Sequence, residues 1–168
     1  MDLAALADPE RMFPEVPGFD APTLLRAFAQ RLVAQGTVRD PEDLYHRLWE
    51  REQLGSTGIG HGVAVPHCKL GKIDEVILAL GKSADPIDFG AVDGKPVQLF
   101  FVVISPEKKP AAHLQCLSAI SRWVQDEDNV QRLVAQTDAH SMYRVLQGDA
   151  APETAADGAS GAAPADPG

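Results

Sequence analysis

After Ala21, Leu24, Leu25, Phe28, Leu32 and Val33 recur at helical spacing and Gly36 follows as a stop, which predicts an amphipathic helix near 21–35. Asp40 and Pro41 make an N-cap and first-turn pair. They open a second helix whose stripe is Leu44, Tyr45, Leu48 and Trp49, and which runs to about Leu54. The pattern then changes to four glycines, and Val63, Ala64 and Val65 form a brief buried strand that Pro66 ends. Residues 69–74 read as a turn, and residues 76–80 as a strand ended by Gly81. Asp85-Pro86-Ile87-Asp88-Phe89 and Asp93-Gly94-Lys95-Pro96 are turn signals flanking little regular structure. Residues 97–104 are nearly all apolar, which predicts a strand covered on both faces, followed by a polar loop over 105–110. Three helices close the pattern at 111–125, 127–136 and 139–147, with Gly148 as the final stop.

Helices and strands are interleaved, so the fold class is α/β, with a mostly covered sheet. A chain of 168 residues suits a single domain with a real core. Residues 1–19, with Pro9, Pro14 and Pro17, read as a lead-in lying over the domain without long regular structure. Residues 149–168 contain no Leu, Ile, Val or aromatic side chain and cannot offset their ordering entropy by burial, so they read as a disordered tail. The folded unit is expected over 20–148.

The formal charge is −9, and four of the acids, Asp149, Glu153, Asp157 and Asp166, sit in the tail without a neighbouring cation. Residues 1–148 are therefore only mildly acidic, at −5. Such a balance argues against nucleic acid or an anionic membrane surface as main partner, because both need Lys and Arg to neutralise phosphate. The N-terminus lacks a basic segment followed by an apolar core, and no run reaches the ~18 apolar residues of a spanning helix, so neither a secretory signal nor direct membrane insertion is expected. Cys68 and Cys116 show no paired spacing, which fits a reducing, cytoplasmic setting.

The candidate chemistry lies in residues 55–68, Gly-Ser-Thr-Gly-Ile-Gly-His-Gly-Val-Ala-Val-Pro-His-Cys. A phosphate loop is excluded because no Lys follows these glycines. A dinucleotide fingerprint fails because its third glycine would fall on Val63 and the segment precedes a strand. A metal site built on His61, His67, Cys68 and His113 matches no standard zinc spacing. A Cys68 nucleophile with His113 as base lacks an orienting third residue. The alternative that uses most of the segment makes His67 itself the nucleophile. Neutral imidazole takes a phosphoryl group on one nitrogen while a hydrogen bond holds the other. The backbone amides of Gly58, Gly60 and Gly62 would then surround the phosphoryl oxygens, Arg51 would neutralise charge, and His113 would donate a hydrogen bond. His46 and His140, on predicted helices, read as surface or satisfied residues.

Residues 51–67, together with Asp93-Gly94-Lys95-Pro96-Val97 and His113-Leu114-Gln115-Cys116-Leu117-Ser118, resemble the type-2 EIIA phosphocarriers, the fructose, mannitol and nitrogen-regulatory branch of the bacterial phosphotransferase system. The resemblance spans about residues 20–147. It implies a mixed central sheet flanked by helices, with the phosphohistidine in a shallow surface depression. It implies His67 as phosphoryl acceptor from an HPr-like histidine phosphocarrier, His113 as second active-site histidine and Arg51 as active-site arginine. No metal or organic cofactor is expected. The group would pass to a IIB component, or the phosphorylation state would act on a regulatory target protein. The nitrogen-regulatory type is favoured, a fructose-type transport subunit is the alternative, and a metal or redox sensor using His61, His67 and Cys68 is a reading of another class. Two positions depart from the family pattern: His61 stands where Asn is common, and Cys68 where Gly is common.

Overall fold

The structure is a computed structural model, and it describes residues 1–148. Its elements, in order, are α1 (Leu3–Leu6), a 3-10 turn (Pro9–Arg11), β1 (Met12–Val16), α2 (Ala21–Ala34), α3 (Pro41–Leu54), β2 (Gly58–Gly60), β3 (Val63–Ala64) and β4 (His67–Leu70). There follow β5 (Ile77–Ile87), β6 (Val97–Pro106), α4 (Pro110–Val124), α5 (Glu127–Val134) and α6 (Ala139–Leu146). Most of the helices start where the sequence supplies a cap, and α4 starts at Pro110 without a side-chain cap. Asp20, Asp40, Asp126 and Asp138 each accept a backbone N–H of the first turn, and Asp20 forms a capping box with Thr23.

The sheet runs β1-β5-β6-β3-β2, with β4 also paired to β6. β5 and β6 are antiparallel, whereas β1 is parallel to β5, and both β3 and β4 are parallel to β6. The sheet is therefore mixed, and helices cover it on both faces. β6 shows why its apolar run is continuous. Phe100, Val102 and Ile104 join α2 and α3 in one core cluster, while Leu99, Phe101 and Val103 join α4, α5 and α6 in the other. Side chains of a strand alternate between faces, so a strand covered on both favours apolar residues at nearly every position.

Three expectations change. Residues 1–19 enter the fold, because Met12 and Phe13 pair with Leu80 and Gly81 and make β1 an edge strand. Gly81 does not end its strand, and β5 continues to Ile87. A Cβ at Gly81 would lie 2.5 Å from Cζ of Phe28 and 2.7 Å from Cγ2 of Val16, so this glycine admits close packing from α2 and β1. Pro66 only interrupts its strand. Val63 faces Leu99 before the interruption and His67 faces Val103 after it, which is the same register. Pro66 has no N–H to give, yet its carbonyl still accepts from Val103 N–H at 2.9 Å. The expected turn at 69–74 accordingly begins with strand residues Lys69 and Leu70. The tail at 149–168 lies outside the described residues.

Candidate active site

Three elements converge on one open cleft of about 820 Å³, lined by residues that include Arg47, Glu50, Arg51, Leu54, His67, Lys69, Glu107 and His113. His67 is the first residue of β4, delivered by the Val65-Pro66 interruption. Arg51 lies in the last turn of α3, and His113 in the first turn of α4, where Pro110 opens the helix. The imidazole rings of His67 and His113 are 5.3 Å apart between centroids and inclined by 57°. His67, His113 and Arg51, far apart in the chain, are thus brought together.

The two nitrogens of His67 have different partners. Nδ1 lies 2.8 Å from the carbonyl oxygen of Val65, which can only accept, so Nδ1 carries the proton. Nε2 is left with its lone pair and accepts from Nε–H of Arg51 at 3.2 Å. Arg51 is itself held by Nη1 donating to the carbonyl of Gly55 at 2.9 Å. Burial lowers the His67 pKa below its ordinary value. The Val65 bond opposes this, and the cations of Arg51 and Lys69 reinforce it. His113 is lowered further, to about 4, by burial first and then by His67 and Lys69. Both rings are neutral at neutral pH, which leaves an unprotonated Nε2 on His67 beside a guanidinium.

The glycines serve another purpose. Gly58 and Gly60 pair with Ala64 and Val63 in the β2–β3 hairpin, and Gly60 and Gly62 take φ of 94° and 75° around its turn. That turn is at the end of β3 remote from His67, and none of Gly58, Gly60 and Gly62 lines the cleft. Gly58 is needed for close approach, since a Cβ there would meet that of Ala91 at 2.7 Å. The expected cradle of glycine amides is therefore corrected to a hairpin that carries the chain into β3.

His61 lies away from the cleft, whereas Cys68 borders it with a buried thiol. His61 occupies the hairpin turn at φ 60°, a left-handed conformation that Asn and His tolerate better than most residues. Its N–H donates to Oδ2 of Asp93 at 3.3 Å and its ring faces Glu127 at 3.6 Å. Cys68 points into the α2–α3 core, and burial pushes its thiol up to about 12. Cys116 lies in the opposite core cluster with its thiol at about 11, again through burial. Among the described residues, no three His, Cys, Asp or Glu side chains converge in a way that would hold a metal ion.

Sequence reasoning missed two buried polar residues. Glu52 follows Leu44 and Leu48 on the inward stripe of α3, and its carboxylate accepts from the N–H and the hydroxyl of Thr57, both at 2.7 Å. Desolvation raises its pKa. The pair ties the end of α3 to the start of β2, next to Arg51. Ser105, read as the start of a loop, is instead in β6, and its hydroxyl lies 2.6 Å from Nδ1 of His113. In both cases the signal was a polar residue at an apolar period.

The chain matches the family described as the phosphoenolpyruvate-dependent sugar phosphotransferase system, EIIA 2, over residues 6–148. It belongs to that family. It is 35% identical over 146 residues to a nitrogen regulatory protein of Bradyrhizobium diazoefficiens, covering 87% of this chain and 95% of the relative. It is 36% identical over 114 residues to the fructose-specific EIIA component of Haloferax volcanii, covering 68% and 74%. The crystal structure of nitrogen regulatory protein IIA-Ntr from Neisseria meningitidis superposes with a TM-score of 0.79 at 26% identity, covering 86% of this chain and 98% of that one. Members of the family are phosphoryl-transfer components of the phosphotransferase system. No helix among the described residues is long and apolar enough to cross a membrane.

Proposed function

We propose that His67 accepts a phosphoryl group on Nε2 from an HPr-like histidine phosphocarrier. The observation that carries this is the division of labour on its ring, with Nδ1–H tied to Val65 and the Nε2 lone pair kept unprotonated against Arg51 at the cleft. The Nε2 lone pair attacks phosphorus, the donor's N–P bond breaks, and its electron pair returns to the donor imidazole. The product ring, still protonated at Nδ1, is cationic, and the Val65 carbonyl stabilises that charge. Arg51 turns from Nε2 to the phosphoryl oxygens, where a guanidinium is worth most in a partly desolvated site. His113 is close enough to hydrogen-bond the same oxygens. Transfer between two imidazoles rests on positioning and charge stabilisation, so no cofactor is invoked.

The identity to a nitrogen regulatory protein along nearly the whole chain favours a regulatory role in the cytoplasm, in which phosphorylation state acts on a target protein. The comparable identity to a fructose-specific EIIA component supports the second reading, transport with a IIB partner. A metal or redox sensor finds less support, because His61 lies in the hairpin turn against Glu127, away from the cleft that His67 and Cys68 border, and burial pushes the Cys68 thiol up to about 12.

The test is incubation with phosphoenolpyruvate, enzyme I and the carrier protein. Acid-labile, alkali-stable phosphate is expected on the wild type and absent from His67→Ala. Label persisting unchanged in that variant overturns His67 as acceptor, and no label on the wild type overturns the phosphocarrier reading. Subsequent transfer of the label to a IIB protein separates transport from regulation.

A further inference from the structure

Ser105 is fully buried on β6, on the face it shares with Leu99, Phe101 and Val103, against which α4 packs. A polar hydroxyl at that position needs a partner, because a buried donor left unmade costs its full desolvation. Among the described residues the partner of Ser105 Oγ is Nδ1 of His113, at 2.6 Å. We propose that Ser105 is a positioning residue of the site, whose hydroxyl donates to Nδ1 and thereby holds His113 as the Nε2–H tautomer.

Two arrangements satisfy the distance. If Nδ1–H donated to Oγ, the serine proton would be left without a protein acceptor in a fully buried position, and Nε2 of His113 would present a lone pair towards incoming phosphate. If Oγ–H donates to Nδ1, both buried groups are satisfied by one bond and the ring's other nitrogen carries a proton. Burial keeps this ring neutral, so the choice is between these two tautomers. The second also completes a complementary pair. His67 is protonated at Nδ1 and offers a lone pair at Nε2, whereas His113 accepts at Nδ1 and offers a proton at Nε2. A backbone carbonyl sets the first tautomer and a serine hydroxyl sets the second. One ring is made a nucleophile and its neighbour a donor to the phosphoryl oxygens.

The functional consequence rests on His67 being the acceptor, but the tautomer does not. It is read by long-range proton–nitrogen correlation of the imidazole rings in ¹⁵N-labelled, unphosphorylated protein near neutral pH. The wild type and Ser105→Thr are expected to show His113 protonated at Nε2. Ser105→Ala is expected to show a mixture or the Nδ1–H form. Phosphoryl transfer should fall about three- to tenfold in Ser105→Ala, the worth of one hydrogen bond, and return in Ser105→Thr. His113 found as Nδ1–H in the wild type, or an unchanged tautomer in Ser105→Ala, overturns the proposal. The wild-type spectrum decides the tautomer by itself, so a poorly folding alanine variant does not remove the test. Failure of the wild type to take label overturns His67 as acceptor and is distinguished from a wrong tautomer by the same spectrum.

Discussion

Nε of Arg51 stands 3.2 Å from Nε2 of His67, so the nitrogen that would attack phosphorus is the one a guanidinium covers in the resting protein. The contact keeps the lone pair unprotonated and places the cation within one side-chain rotation of the phosphoryl oxygens. Nη1 of Arg51 meanwhile holds the Gly55 carbonyl, which anchors the guanidinium at the end of α3.

Arg51→Ala is expected to lower phosphoryl transfer by about 10²-fold, the usual effect of removing one charge-stabilising donor. Arg51→Lys should recover only part of it, because an ammonium lacks the planar fork that serves Nε2 and Gly55 together. Rapid-quench measurement of labelled protein checks both. A rate in Arg51→Ala equal to wild type would remove Arg51 from the chemistry.

The depressed pKa of His113 makes stability depend on acid. Its value falls from the ordinary 6.5 to about 4 on folding, so between these limits the unfolded chain binds more protons than the native one. Stability is therefore full above about pH 6.5 and declines as the pH drops towards 4. His67, shifted in the same direction, adds to the decline. Urea titrations across this range should show a shallower fall for His113→Gln than for wild type.

Glu52→Ala removes the acceptor for two donors of Thr57, one of them a buried backbone N–H. The expected cost is about 1–3 kcal/mol. Transfer should slow as well, because the end of α3 that carries Arg51 loses its tie to β2. Glu52→Gln keeps one acceptor oxygen and should fall between the two in both thermal melts and transfer rate.

Gly81→Val tests the close approach of α2 and β1. The added side chain would sit within contact distance of Phe28 and Val16, and overpacking of this kind costs about 1–3 kcal/mol. Denaturant midpoints read it directly, and Gly81→Val as stable as wild type would show that Phe28 has room to move.

Thiol reagents should react slowly with the native protein. Cys68, at about 12, and Cys116, at about 11, hold almost no thiolate at neutral pH. Rapid labelling of Cys68 in the folded state, timed against an unfolded control, would reopen a redox role for it.

The longer helices were legible in the sequence because they carry a 3.6-residue stripe and, except for α4, a side-chain cap, as α2 does from Asp20 to Leu32 and α3 from Asp40 to Leu48. The centre of β6, residues 97–104, was equally legible, since a strand covered on both faces is apolar at nearly every position, but its last residues, Ser105 and Pro106, were not. Edge and interrupted strands were not. β1 is short and contains Pro14, and β4 begins after a proline, so both depend on partners that local signals do not contain. Gly81 read as a stop because glycine ends strands more often than it admits a phenylalanine from a helix more than fifty residues earlier.

The sequence by itself determined which side chains are available for the proposed chemistry, His67 at the end of a glycine-rich segment with Arg51 and His113 as its candidate companions. The residue types carry that chemistry and their order carries the family resemblance. Tertiary structure alone decided which atoms meet. The carbonyl of Val65, between β3 and β4, holds the proton of His67 on Nδ1, Oγ of Ser105 in β6 lies 2.6 Å from Nδ1 of His113, and a sequence contains side chains but not the directions in which they meet. It likewise decided that the glycines shape a hairpin, because a backbone amide serves a ligand only where the fold leaves it unpaired, and β3 has already claimed that end of the sheet.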